Sequence, residues 1–234
     1  MIWVGKLGSS SIAGVGIVSI FIMLVLSVDM GLILGARAMI ARYVGAGDLQ
    51  GANNAAGQAI VLGAVWGTVM TAIGVFMAEP ILGLFGVKAE VIAEGTAYMR
   101  VMFAGWVSLE VLVAGLYAVQ SSGDTLKPMI IEVVIRAVHV TVCPFFVLGW
   151  WVFPRLGVSG AALSNVISQS LGAVIVLSLL FSGRTLLRLA QRDFRPVPNI
   201  IWRILKVGIP SLVMNLQKSL GDLVLMRIIV PFGT

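Results

Sequence analysis

Four residues able to titrate, pair or coordinate recur at regular spacing inside an apolar stretch. Across residues 128–144, PMIIEVVIRAVHVTVCP, the polar set is Glu132, Arg136, His139 and Cys143. On a helix that spacing stacks all four on one face, turn above turn. At about 1.5 Å of rise per residue, Arg136 lies roughly 12 Å and His139 roughly 16 Å beyond Pro128, close to the midplane of a bilayer. Ionisable side chains are costly at that depth and persist where they pair, relay protons or face a cavity. Glu132 and Arg136, at i and i+4, are therefore either a neutralising ion pair or part of a transport site. His139 is either a packed histidine or a proton carrier, because imidazole titrates near neutral pH.

Other polar residues interrupt apolar runs elsewhere. Asp29 sits mid-run beside Gly31 and Gly35, and Glu110 sits in the middle of another. Each can bind a cationic substrate or a proton, or hydrogen-bond a neighbouring helix. Asn165 and Gln169, again at i and i+4, either line the same cavity or hold helices together by interhelical hydrogen bonds. Lys218 and Asp222 have the spacing of a local ion pair. No HExxH, GxSxG or phosphate-binding GxxxxGK[ST] pattern occurs, and one cysteine cannot supply paired metal-ligand spacing. No catalytic residues, metal or organic cofactor are expected, and the chain reads as a non-enzyme.

The elements that must hold these residues are set by composition. Hydrophobic residues make up 59% and charged residues 11% of 234, and mean hydropathy is +1.04. Such a chain cannot dress an ordinary core in a polar surface; its solvent is the lipid bilayer. The expected fold class is all-α, a polytopic transmembrane helix bundle of about six spans. They fall near residues 12–34, 55–77, 91–119, 128–148 and 160–181, with a sixth opening at Gly208. GAGD (45–48) and QSSGDTLKP (120–128) are turns, and Asp48 has the type of a helix N-cap. Residues 79–88 form a short apolar loop, and WWVFP (150–154) has the composition of an interfacial aromatic belt.

Orientation follows from charge. The formal net charge is +6, with basic residues gathered between spans, so no nucleic-acid partner is expected. Arg37, Arg42, Lys127 and the run Arg184, Arg188, Arg192, Arg195, Arg203 and Lys206 fall on one side, which the positive-inside rule makes cytoplasmic. The chain start then lies outside. MIWVGKLGS (1–9) and MRIIVPFGT (226–234) resemble each other and both fall on the outer side, as a parallel repeat about an axis along the membrane normal would require. A first helix before Met1 would complete the repeat unit.

The order VGKLG, GAGD after the first span, SSGDTLKP, LGVSGAA, then GIP after a basic linker resembles the multidrug and toxic compound extrusion (MATE) family. The likeness runs the length of the chain. It implies twelve helices in two six-helix lobes, of which this chain would hold helices two to seven. Residues 1–183 would be the N-terminal lobe with its first helix missing, 184–206 a cytosolic linker, and 207–234 the first helix of the C-terminal lobe. It also implies export of cationic or amphipathic small molecules in exchange for H⁺ or Na⁺, from the inner or plasma membrane, with the missing lobe of the same protein as partner. Where the family commonly has Asn, Asn and Asp before a proline in its fifth helix, this sequence has Arg136, His139 and Cys143 before Pro144. Hard oxygen ligands for Na⁺ are thus lost there, and His139 with Glu132 is the expected proton-coupling pair. Two alternatives stay open: a lipid-linked oligosaccharide flippase of the same superfamily, for which Arg136 would meet the pyrophosphate, and a fragment that transports nothing by itself.

Overall fold

The computed structural model describes residues 9–86, 88–149 and 156–229, without the side chains of residues 9, 216 and 218–229. The repeat at 1–9 and 226–234, the aromatic stretch 150–154 and the Lys218–Asp222 pair fall wholly or partly outside it. The described residues are helical, with no strand among them: α1 (Ser9–Gly45), α2 (Leu49–Phe76), α3 (Ala78–Gly83), α4 (Ala89–Ala104), α5 (Trp106–Ser121), α6 (Leu126–Leu148), α7 (Val158–Ser182) and α8 (Pro198–Ile229). Four of these (α1, α2, α6 and α7) are long and apolar enough to cross a membrane, and α4 with α5 makes a fifth, bent span. The expected sixth span falls on α8, whose apolar run is diluted by Lys206, Lys218, Asp222 and Arg227.

Three expectations need correction. The run 91–119 is not one straight helix; it bends by 49° between α4 and α5. The break is at Gly105, where a Cβ would enter the Val166 side chain of α7. The interrupted ladder is repaired from outside: Thr71 on α2 donates its hydroxyl to the Phe103 carbonyl at 2.7 Å, and Phe103 stacks on Trp106 across the bend at 4.4 Å. The apolar loop 79–88 contains a short helix, α3, whose Leu82 is buried.

The third correction concerns the basic linker. Helix α8 begins at Pro198, ten residues before the expected start at Gly208, so Arg203 and Lys206 lie on a helix. The preceding segment is laid against α2. Leu187 and Leu189 are buried, and the Arg188 amide donates to Asn53 Oδ1 at 3.0 Å. Buried Asp193 accepts from the Ala190 amide at 2.8 Å and from Gln50 Nε2 at 3.1 Å. Gln58, fully buried, donates to the carbonyls of Asp193 and Arg195 and accepts from the Val197 amide. Gly57 permits this approach, because a Cβ there would strike the Asp193 carbonyl. Lys127 ties the α5–α6 turn to the same end, donating to the Arg184 carbonyl at 2.8 Å. Its ion pair with Asp124 at 2.5 Å holds that carboxyl below the usual range. Arg42, Lys127, Arg184 and Arg192 thus share one end of the bundle.

Asp193 should hold the segment closed. Asp193→Ala would remove the acceptor of the half-buried Ala190 amide and one of the two acceptors of Gln50 Nε2, costing about 1 kcal/mol, so local opening should rise about fivefold. Trypsin, which cuts after Arg184, Arg188 and Arg192, should cleave the variant correspondingly faster, whereas Asp48→Ala, which removes only an exposed N-cap bond to Gly51, should not change the rate. Equal cleavage of Asp193→Ala and wild type would show that Asp193 does not hold the segment.

Candidate functional site

The packed interior is split into two apolar zones. One, nearer the basic end, contains Ile40, Ala56, Ile60, Leu112, Leu116 and Ile204. The other contains Val18, Val25, Met70, Phe103 and Trp106. Helix α1 passes from one to the other between residues 25 and 36, α2 between 60 and 70, and α5 between 106 and 112. Among the residues at those crossings are Asp29, Trp66 and Glu110. Three helices therefore deliver one side chain each to a single polar layer between two dry ones.

Trp66 donates its indole N–H to Asp29 Oδ1. Trp106 donates to Glu110 Oε1 at 3.0 Å, one turn earlier on the same helix. The two residues line the same cavity. Both residues are buried, Asp29 to 2% exposure and Glu110 to 5%. Asp29 Oδ2 has no N–H or O–H donor among the described residues. Glycines bring α2 and α5 together here: a Cβ on Gly67 would lie 2.9 Å from the Val107 Cα and 3.1 Å from Glu110 Cγ.

The pair borders a cavity of about 350 Å³ between α1, α5 and α6. Its walls are mostly apolar (Leu26, Met30, Ile33, Leu109, Val113, Met129), with Tyr117 and Gln120 added and a third carboxylate, Glu132, entering from α6. An adjoining recess is lined by Glu110, Tyr117 and Arg37, and the Arg37 guanidinium sits 4.8 Å above the Tyr117 ring. The arrangement can hold a flat or bulky apolar body and place a positive group against carboxylates.

The face of α6 expected to act together is divided. Glu132 reaches the cavity and pairs with Arg136 at 3.4 Å, with both side chains well exposed. His139 is half-buried near the Ser164 backbone of α7, its Nδ1 without a hydrogen-bond partner among the described residues, and it lies outside the cavity lining. Cys143 is buried and also outside the lining. Asn165 donates to Met102 Sδ at 3.6 Å, bridging α7 to α4, while Gln169 is half-buried on α7; neither lines the cavity. The sequence reading missed the two indole donors and Arg37. The i, i+4 spacing of Trp106 and Glu110 could have revealed one donor; nothing local links Trp66 to Asp29.

A mostly apolar helical bundle with an open, acid-lined cavity between its spans has the form of part of a membrane transporter. Residues 1–145 match the MatE family model, and the chain belongs to that family of membrane transporters. It is 24% identical to "Probable multidrug resistance protein NorM" of Thermotoga maritima, over 99% of this chain and 50% of that protein. It is 23% identical to the "FAD transporter" of Shewanella oneidensis, over 97% of this chain and 50% of the relative. Among solved structures it resembles the outward-facing conformation of a multidrug resistance MATE family transporter, with TM-score 0.87 and 29% identity over 98% of this chain and 50% of that one. The chain spans about half the length of the curated relatives it matches.

Proposed function

We propose that this chain forms most of one lobe of a plasma-membrane antiporter that exports cationic, amphipathic small molecules by alternating access, in exchange for H⁺ or Na⁺, with a second lobe completing the path. The observation that carries this reading is the cavity between α1, α5 and α6, whose apolar walls bear the carboxyl groups of Asp29, Glu110 and Glu132. An apolar wall with a few fixed charges of one sign selects amphipathic cargo of the other sign and tolerates variety in its body. Met30 and Met129 add adaptable surface to the same wall.

H⁺ is the favoured coupling ion, because carboxyls exchange a proton without rebuilding a coordination shell. One relative is named for moving FAD, whose pyrophosphate is anionic. The three carboxyls here oppose such cargo, and Arg136, already paired with Glu132, offers little to the pyrophosphate of a lipid-linked sugar. The test uses vesicles containing the complete protein that carries this sequence. Ethidium should move against its gradient when a pH gradient is imposed, and neither FAD nor a lipid-linked oligosaccharide should move. Movement of the lipid-linked sugar without ethidium would establish the flippase instead, and movement of none would leave a non-transporting bundle.

A further inference from the structure

We propose that residues 184–207 form a docking surface for anionic phospholipid headgroups, in which exposed arginines meet lipid phosphates while Leu186 and Trp202 reach the apolar side of the headgroup layer. The surface goes beyond the export reading and stands whether or not that reading holds. The segment before α8 is fastened at both sides. Its bonds to α2 engage Gln50, Asn53 and Gln58, within the first three turns of that helix. On α7, the Leu189 amide donates to the Leu180 carbonyl at 3.1 Å, and Phe194 stacks on Phe181 at 5.8 Å. Both α2 and α7 are long and apolar enough to cross a membrane. A segment tied to the start of one and the end of the other therefore lies at headgroup level.

Burial then decides which side chains face the lipid. Leu187 and Leu189 are buried, whereas Arg184, Leu186, Arg188, Arg192 and Arg195 are exposed. Helix α8 continues the division: Ile200, Ile204 and Gly208 are buried, and Trp202, Arg203 and Lys206 are exposed.

Charge on the outward side has one sign. Asp193 is the only acid between residues 183 and 207, and it is buried, its oxygens taken by Ala190 and Gln50. Nearby, Asp124 is held by Lys127, and Asp48 caps α2. The side chains of Arg184, Arg195 and Arg203 have no hydrogen-bond or ion-pair partner among the described residues. A guanidinium matches a phosphate with two parallel N–H donors. Trp202 is 63% and Leu186 49% exposed. An indole near the start of a span sits at the headgroup boundary, and apolar side chains set among basic ones bind an anionic leaflet through both area and charge.

The experiment titrates the complete protein in detergent micelles with brominated phosphatidylglycerol or brominated phosphatidylcholine. Quenching at Trp202 is the difference in fluorescence loss between wild type and Trp202→Phe. Each basic residue close to an anionic surface adds about fivefold in affinity, so wild type in low salt should bind the phosphatidylglycerol at least about tenfold more tightly. The triple variant Arg184→Gln, Arg195→Gln, Arg203→Gln should lose most of that preference, and so should wild type at about 1 M NaCl, where charges are screened within about 3 Å. Equal quenching by the two lipids would leave this end to water or to an acidic protein and overturns the surface. A preference that survives in the folded triple variant overturns it as well, as does one that salt leaves unchanged.

Discussion

Gly35→Ala should lower the unfolding midpoint of the purified protein by roughly 5 °C, whereas Gly16→Ala on the same helix should leave it unchanged or slightly raised. Both positions lie on α1, so both gain the same helix propensity, up to about 1 kcal/mol. The difference is what the new methyl meets. A Cβ on Gly16 finds no atom within 4 Å. A Cβ on Gly35 would strike the Ile204 carbonyl oxygen and lie 3.0 Å from the Gly208 amide nitrogen. Those are backbone atoms of α8 and cannot swing aside, so the helices must separate. Forced separation of packed elements costs about 1–3 kcal/mol, and a chain of this size loses about 2–4 °C per kcal/mol.

The same seam includes Gly31, whose Cβ would lie 2.9 Å from the Gly208 carbonyl oxygen, and Gly208, whose Cβ would lie 2.8 Å from that of Gly31. Association in lipid depends on such close approach, since apolar surface gains little by leaving one hydrocarbon for another. Intrinsic tryptophan fluorescence during heating in detergent reads the midpoints. Equal midpoints for Gly35→Ala and Gly16→Ala would mean that α1 and α8 do not pack as described.

Helix existence was legible in the sequence because each span is a long apolar run closed by Gly, Pro or charge, and the turns at 45–48 and 120–128 fall where their residues placed them. The bend at Gly105 was not legible. Its causes, Val166 filling the space beside the glycine and Thr71 capping the Phe103 carbonyl, lie 61 and 32 residues away in sequence. The seating of residues 184–197 was missed for a related reason. A basic, proline-broken stretch reads as solvated linker, and only the buried polar side chains of Gln58 and Asp193 mark it as docked.

The site shows the same division. Asp29 and Glu110 stood out singly, as acids inside apolar runs, but they meet at one cavity from two helices, 81 residues apart in sequence, and no local period encodes that. The residues 132–143 stood out together because helical spacing is local. Glu132 and Arg136 do meet, one turn apart. Yet a polar stripe spanning twelve residues winds past more than one neighbour, so Glu132 meets the cavity while His139 meets α7. Periodicity shows which residues share a face; tertiary packing decides what each part of that face touches.

The central claim is that the carboxyls of this cavity select positive cargo. Its most direct test is equilibrium binding of tetraphenylphosphonium and of triphenylphosphine oxide, a neutral compound of similar bulk, to the complete protein. A charge-assisted contact in a desolvated site is worth about 1.5–3 kcal/mol, which corresponds to about 10- to 100-fold in affinity. The wild type should therefore prefer the cation by at least about tenfold. The double variant Asp29→Asn, Glu110→Gln, which leaves only Glu132 in the cavity, should lose most of that preference, its hold on the neutral compound unchanged. A wild type that binds the two equally, or a folded double variant that keeps the full preference for the cation, would contradict the account.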